Sequence, residues 1–135
     1  MSNLVSAAHS LKIVDIEDIS IFNRSRSQVI LSWRNHASPL ASIPGTIRPS
    51  STPSDKGYTK TITFSVAIYN HDLADLILFY SKKRLLAIYT DARGRVRVCG
   101  SPEYPLRLSY TIQNGIISVT MTGIDTHDDG YLLLA

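Results

Sequence analysis

The residues with the most potential for chemistry lie together near the C-terminal end, in the run Asp-Thr-His-Asp-Asp-Gly from Asp125 to Gly130. This run offers oxygen ligands at alternating positions before a glycine. A calcium-binding loop, however, needs a closing glutamate at its twelfth position, which a count from Asp125 places beyond Ala135. His127 and an aspartate are candidate transition-metal ligands, but the other three histidines lie in separate segments without ligand spacing. We therefore expect a solvated turn here, with no metal ion and no cofactor.

Nucleophilic catalysis has one candidate, Cys99, which is the single cysteine of the chain. The alternation of a strand places it on the face of Arg95 and Arg97, whose charges would lower the pKa of the thiol. No histidine is tied to it by sequence, and the carboxylate of Glu103 has no partner at a defined separation. The glycines belong to separate turns rather than to a phosphate-binding loop. We expect Cys99 to be a packed or idle thiol and the protein not to be an enzyme.

The elements that position these residues are clearest between Leu85 and Ile124. Asn114 and Gly115 form a two-residue hairpin turn, because both accept the positive φ that such a turn requires. The turn then brings apolar residues of two strands together on one face. The pairs on that face are Ile112 with Ile117, Tyr110 with Val119, and Leu108 with Met121. Turn chemistry and the alternating pattern therefore predict the same register.

A second hairpin precedes this one and turns at a three-residue loop with Gly94 in the left-handed position. Its pairs are Ile88 with Val98, Thr90 with Val96, and Asp91 with Arg95 across the mouth of the loop. Gly94, Asn114 and Gly115 are thus the predicted structural turn residues.

The remaining elements follow from the period of the apolar residues. Strands are predicted at 11–16 with a continuation at 19–22, at 28–34, at 59–69 and at 130–135, with a polar turn at 23–27. Spacings of three and four indicate a helix from Asp72 to Arg84, acidic at its start and basic at its end. The predicted fold class is β-rich α+β, an antiparallel β-sandwich or partly closed barrel with one flanking helix at about 71–84.

The 135 residues are predicted to form a single domain, 1–135. Residues 1–10 are predicted to be a flexible N-terminal arm. Residues 36–57 are predicted to be a long Pro/Ser-rich loop, because four prolines interrupt any sustained period. A solvated linker has no use for Leu40, Ile43 and Ile47, so we predict that they and Arg48 form an assembly loop that a partner orders.

The net charge of +3 and the pI near 9.1 are mildly basic. The arginines are spread over loops and outward strand faces, which favours a solvated surface over a nucleic-acid site. Trp33 is most simply a core anchor. It is kept, with Arg95, Arg97 and Arg107, as a candidate contact for a ligand or partner. The lone cysteine and the lack of a charged-then-apolar leader predict cytoplasmic synthesis, and no apolar run is long enough to span a membrane.

The stretch 85–124 also carries a resemblance. Leu85–Arg95 is an apolar strand followed by an aspartate and a glycine turn, Val98–Leu106 adds Gly-Ser and Pro-Leu, and Asn114-Gly115 closes the next hairpin. This order resembles small structural proteins of the tails of bacteriophages and prophages. The resemblance implies an antiparallel sandwich or barrel with one helix and a long loop that reaches the next subunit. It implies no catalytic residues, and a virion protein made in the cytoplasm of a bacterial host.

The leading hypothesis is therefore a non-enzymatic structural protein of a phage or prophage virion. It would be a tail tube, tail completion or neck component that forms homo-oligomers or rings and contacts other virion proteins. The alternative is a small-ligand or carbohydrate-binding β-domain that uses Trp33, Tyr104 and Tyr110. The third hypothesis is a nucleic-acid-binding module that uses the spread arginines. Under the leading hypothesis we expect DNA binding that is at most weak and non-specific.

Overall fold

The computed structural model describes residues 10–34, 46–67 and 71–134. It contains ten strands, one α-helix and one short 3₁₀ turn within those ranges. The elements are β1 Ser10–Asp15, the 3₁₀ turn Ile16–Asp18, β2 Ile19–Ser25, β3 Gln28–Trp33, β4 Arg48–Ser54, β5 Gly57–Ala67, α1 His71–Tyr80, β6 Leu85–Thr90, β7 Val96–Cys99, β8 Arg107–Gln113, β9 Ile116–Asp125 and β10 Gly130–Leu134.

The strands form two sheets. One has six strands in the order β1-β6-β7-β10-β3-β2, and the other has four in the order β4-β5-β9-β8. All neighbours are antiparallel except β10 and β3, which run parallel. The prediction of a β-rich α+β sandwich is confirmed, and the sheets do not close into a barrel.

Strand β6 is buried on both faces and connects two separate clusters of apolar side chains. Leu85, Ala87 and Tyr89 belong to the main core, which lies between the two sheets and includes Ile77 of the helix. Leu86 and Ile88 point the other way, into a second cluster with residues of β1, β3 and β7. A strand with both faces covered is expected to be a continuous apolar run, as β6 is.

The six-stranded sheet must curl around this second cluster. Its two edge strands, β1 and β2, are consecutive in the chain and are joined only by the 3₁₀ turn Ile16–Asp18. Such a connection reaches about 14 Å, whereas the edges of a flat six-stranded sheet lie about 24 Å apart. The carboxylate of Asp15 caps the turn by accepting from the amide of Glu17 at 3.0 Å.

Both predicted hairpin registers are confirmed, pair by pair. In the β8–β9 turn, Asn114 has a φ of 53° and Gly115 a φ of 75°. In the β6–β7 loop, Gly94 has a φ of 82°, and the amide of Asp91 donates to the carbonyl of Arg95 at 2.8 Å. Both registers follow from contacts between residues close in sequence, which local turn chemistry can decide.

The predicted loop 36–57 is corrected over its described part, because Arg48–Ser54 forms β4 and pairs with β5 around a turn at Asp55 and Lys56. The strand was not predicted because Pro49 and Pro53 interrupt the alternating pattern that is typical of a strand. Ile47, predicted to be an assembly contact, is instead 3% exposed and belongs to the main core. Leu40, Ile43 and residues 1–9 of the predicted arm lie outside the described residues, whereas Ser10 begins β1.

Three predicted boundaries shift. The helix ends at Tyr80 rather than Arg84, because the amides of Lys82 and Lys83 donate three residues back, to Phe79 and Tyr80, and tighten its end. The turn predicted at 23–27 shortens to Arg26 and Ser27, with Arg26 at a φ of 58°. The strand predicted from Thr59 begins at Gly57.

Candidate functional site

Two parts of the described structure offer more than packing. One is the outer edge of β8, at the end of the four-stranded sheet. The other is the corner from Asp125 to Gly130, which carries the chain from β9 in one sheet to β10 in the other.

The edge of β8 presents unused backbone groups. In an antiparallel pair, residues alternately exchange both backbone hydrogen bonds with their partner or point both groups away from it. Gln113 and Ile116 flank the two-residue turn and form a bonded pair. Leu108, Tyr110 and Ile112 therefore point their backbone groups away from β9. Leu106, just before β8, exchanges two backbone hydrogen bonds with Leu85 of β6, but no described strand pairs with β8 itself on that side.

The side chains of these three residues form a rim that becomes more exposed toward the turn. Leu108 is buried in the main core and Tyr110 packs partly against it. Ile112 is 58% exposed, although Ile117, its partner on β9, is 1% exposed. The rim therefore combines free backbone donors and acceptors with an apolar side chain in water.

The opposite edge of the same sheet, β4, is built differently. The amide of Ser65 in β5 donates toward β4, to the Thr46 hydroxyl at 3.2 Å, so the odd-numbered residues of β5 point to that side. Each odd-numbered residue of β5 pairs with an even-numbered residue of β4, so the even-numbered residues of β4 bond to β5. The odd-numbered residues of β4 therefore point their backbone groups outward. Two of these three positions are Pro49 and Pro53, which have no N–H to offer, and this leaves the amide of Ser51 as the outward donor.

The corner contains a polar group that we call the Asp129 cluster, formed by Lys60, Tyr89, Arg97, Asp128 and Asp129. Lys60, Tyr89 and Asp129 are buried, whereas the Asp128 side chain is 59% exposed. Lys60 is 1% exposed, and its Nζ lies 2.7 Å from Asp129 Oδ1 and 3.5 Å from Asp128 Oδ1. The Tyr89 hydroxyl donates to Asp129 Oδ2. Arg97 Nη2 donates to the main-chain carbonyl of Asp129 at 2.5 Å. The cluster joins both sheets, because Lys60 lies on β5, Tyr89 on β6 and Arg97 on β7.

The cluster shifts the protonation of its members. Burial, and then the charge of Asp129, raise the pKa of Tyr89 far above its usual value, so the phenol stays protonated. Partial burial acts to raise the pKa of Asp128, but the amide of Asp129 and the charge of Lys60 outweigh it and hold that pKa below its ordinary value.

Cys99 is a packed thiol, as predicted, but the surroundings predicted for it are corrected. It shares the face of Arg97, but that face is turned into the main core, where the thiol is buried. Burial, and then the charge of Asp129, raise the pKa of Cys99 well above its usual value, opposite to the expected direction. The alternation correctly predicts that Cys99 shares a face with Arg97, but the sequence does not say which face of β7 meets the other sheet.

Of the predicted contact residues, Arg95 and Arg97 are brought together over the Tyr131 ring and beside Asp91, whereas Trp33, Arg107 and Arg48 lie elsewhere. Arg97 stacks on Tyr131, with its guanidinium 4.3 Å from the ring centre, and Arg95 pairs with Asp91 at 3.4 Å. Trp33 packs partly buried against the second apolar cluster. Arg107 is exposed on β8, and Arg48 is exposed at the start of β4.

A cleft of about 320 Å³ lies beside the corner. Six of its lining residues combine aromatic rings with charged groups. These are Phe22, Arg24, Glu103, Tyr104, Asp125 and His127. Arg24 Nη2 lies 3.6 Å from Asp125 Oδ2, and the amide of His127 donates to Asp125 Oδ1 at 3.1 Å. Tyr104 thus lies where the ligand-binding alternative needs it, whereas Trp33 and Tyr110 do not line this cleft.

Lys60 is not among the predicted site residues, although the sequence contains a signal for it. Lys60 has the same parity as Ile62, Phe64 and Val66, so the alternation of β5 directs it into the core. A lysine at an inward position needs a buried carboxylate partner. The run 125–130 contained that partner and was predicted to be a solvated turn, but Asp125 and Asp129 are both buried.

The described residues include no group of three or more histidine, cysteine or acidic side chains arranged to hold a metal ion. No helix in the described part of the chain has the length and apolar character needed to cross a membrane. Comparison of the chain with family models, with curated proteins and with solved structures found no match.

Proposed function

We propose that the protein is a non-enzymatic structural component of a phage or prophage virion, in a tail-tube, tail-completion or neck role. It works by assembling with copies of itself and with neighbouring virion proteins. The observation that carries the proposal is the open edge of β8, and the resemblance of residues 85–124 to tail proteins supplies the setting.

The edge of β8 suits strand addition by a second copy of the chain. Unpaired strand edges bind further strands through backbone hydrogen bonds, and proteins that stay monomeric usually protect such edges with proline, charge or a bulge. Leu108, Tyr110 and Ile112 have none of these, and the β8–β9 register is continuous. The same sheet is protected at β4 by Pro49 and Pro53, so the open edge is specific to one side.

The test is the substitution Ile112→Pro. Ile112 points its N–H away from β9, so proline there removes a donor that the isolated fold does not use and imitates Pro49 on the other edge. We expect wild-type protein to form oligomers whose size rises with concentration in size-exclusion chromatography with light scattering, and Ile112→Pro to stay monomeric and folded. Ile112→Val, which keeps the N–H and a β-branched side chain, is the matched control and should assemble.

Two results would contradict the proposal. A wild-type protein that stays monomeric at high concentration would show that it does not assemble with itself. Oligomers of Ile112→Pro identical to the wild type would show that assembly does not use this edge. Negative-stain microscopy of the largest species then distinguishes rings or tubes from two-fold pairs.

The cleft supports a second candidate function, the binding of a small polar ligand such as a carbohydrate. Its aromatic rings and its mixture of donors and acceptors suit a ligand that carries hydroxyl groups. Ligand-observed NMR with a panel of simple sugars tests this candidate. Binding should be lost in Tyr104→Ala and retained in Tyr110→Ala, and the absence of binding to every sugar would remove the carbohydrate version.

A further inference from the structure

We propose that Lys60 and Asp129 condense spontaneously to form an isopeptide bond, an amide between Lys60 Nζ and the side-chain carboxyl carbon of Asp129. This bond would covalently tie β5 of the four-stranded sheet to the corner that leads into β10 of the six-stranded sheet. The inference rests on the Asp129 cluster and does not depend on the proposed assembly function.

The two reacting groups are already in place. Lys60 Nζ lies 2.7 Å from Asp129 Oδ1, so the carboxyl carbon is the next atom along. Holding a nucleophile and an electrophile in contact removes most of the entropic cost of bringing them together. The Arg97 guanidinium also holds Asp129 in place, because its Nη2 donates to the main-chain carbonyl of that residue.

The reaction starts from the neutral forms of the two groups. An ammonium and a carboxylate do not react with each other, whereas a neutral amine attacks a neutral carboxylic acid. Lys60 is 1% exposed and Asp129 is also buried, so the two groups meet out of water. Transfer of one proton from Lys60 to Asp129 converts the ion pair into the reactive pair without changing the net charge of the cluster.

Two further residues assist the reaction, Tyr89 as a hydrogen-bond donor and Asp128 in proton transfer. The Tyr89 hydroxyl donates to Asp129 Oδ2, and a phenol with a raised pKa remains a donor as negative charge develops on that oxygen. Asp128 Oδ1 lies 3.5 Å from Lys60 Nζ, and Asp128 is held in its ionised form. It therefore serves as a proton acceptor for the attacking amine and as a donor to the departing hydroxyl.

The step balances without any other reactant. The C–N bond forms, the C–O bond to one carboxyl oxygen of Asp129 breaks, and that oxygen leaves as water with two protons from the original pair. Nothing is oxidised or reduced. The product is a neutral secondary amide, which is cheaper to bury between the sheets than the two charges it replaces.

The decisive experiment is the intact mass of the wild-type protein under denaturing conditions. We expect a mass lower than that of the sequence by one water molecule. Trypsin should then yield Gly57–Lys82 joined to Leu108–Ala135, because an amidated Lys60 is no longer cleaved and no lysine or arginine lies within the second peptide. A wild-type protein with the full sequence mass would overturn the proposal.

Variants distinguish formation of the isopeptide bond from another reaction that also releases one water molecule. The Asp129-Gly130 sequence can lose one water by cyclising to a succinimide, which does not need Lys60 and is reopened by hydroxylamine. Lys60→Arg keeps the positive charge but should show the full mass, and a loss of water that persists in it would assign the change to the succinimide. Asp129→Asn should lose ammonia instead of water and reach the same final mass as the wild type.

A matched pair of variants tests the role of Tyr89 in the reaction. Tyr89→Phe removes the donor to Asp129 and should slow cross-linking at least tenfold, as followed by mass over time after refolding. Tyr58→Phe is the control, because the Tyr58 ring also lies beside Lys60, 5.4 Å from Nζ, whereas the phenol that donates to Asp129 is that of Tyr89. Equal rates in the two variants would exclude the assigned role of Tyr89, while the linked tryptic peptides of the wild type still decide whether the bond forms.

Discussion

The two edges of the four-stranded sheet differ in how they meet water, although both belong to hairpins with two-residue turns. On β4, two of the three outward positions are Pro49 and Pro53. On β8, the outward positions are Leu108, Tyr110 and Ile112, which keep their N–H groups. Backbone groups point alternately toward and away from the partner strand. A residue of an edge strand therefore blocks or permits a further strand only where its backbone groups point outward.

This asymmetry also limits how copies can join through the sheet. Pairing of β8 with β8 of a second copy forms a closed two-fold dimer. A ring requires β8 to meet a different surface of the next copy, so that each contact leaves another open. The symmetry of the oligomer therefore identifies the surface that pairs with β8.

The largest expected effect comes from moving a proline by one residue on β8. Thr111 forms a bonded pair with Ser118, so Thr111→Pro removes a hydrogen bond of the ladder and should lower the free energy of unfolding by about 3 kcal/mol or more. Ile112→Pro should cost much less, because its N–H is not used. Urea denaturation measures the free energy of unfolding of the two variants. Equal losses would mean that the residues of β8 assigned as bonded to β9 and as pointing outward are assigned wrongly.

A smaller loss of stability is expected from a substitution in the β8–β9 turn, which decides which residues of β8 bond to β9. A Cβ at Gly115 would meet no atom within 4 Å, so the cost of Gly115→Val comes only from its φ of 75°. We expect a loss of about 1–3 kcal/mol, measured by thermal unfolding. Ser118→Val, on an exposed strand position of the same hairpin, is the control and should change stability little; an unchanged melting temperature for Gly115→Val would contradict the turn type.

The smallest effect on folding is expected at β4. The double substitution Pro49→Val and Pro53→Val restores two outward donors on an edge that makes no use of them in the monomer, so stability should change by only about 1 kcal/mol. Association should increase instead, seen as larger species in light scattering at the same concentration. No change in association would show that the prolines are not what protects this edge.

Much of the fold could be predicted because its information is local. The β8–β9 register depends on Asn114 and Gly115 and on the alternation beside them, and the β6–β7 register depends in the same way on Gly94. The helix was found from its spacing, although its end was placed four residues too late. Strand β4 was missed because Pro49 and Pro53 are signals against a strand, and only its place at the edge of a sheet makes them acceptable.

The sequence by itself determined which residues share a face, because a strand alternates whatever it packs against. It placed Cys99 with Arg97, and it placed Lys60 with Ile62 and Phe64. Only the tertiary structure decided which of those faces is buried and which distant residue meets it. Lys60 and Asp129 are 69 positions apart, and β10 joins β3 from the other end of the chain. Such pairings depend on how the two sheets stack, and no turn or period within a short segment encodes that arrangement.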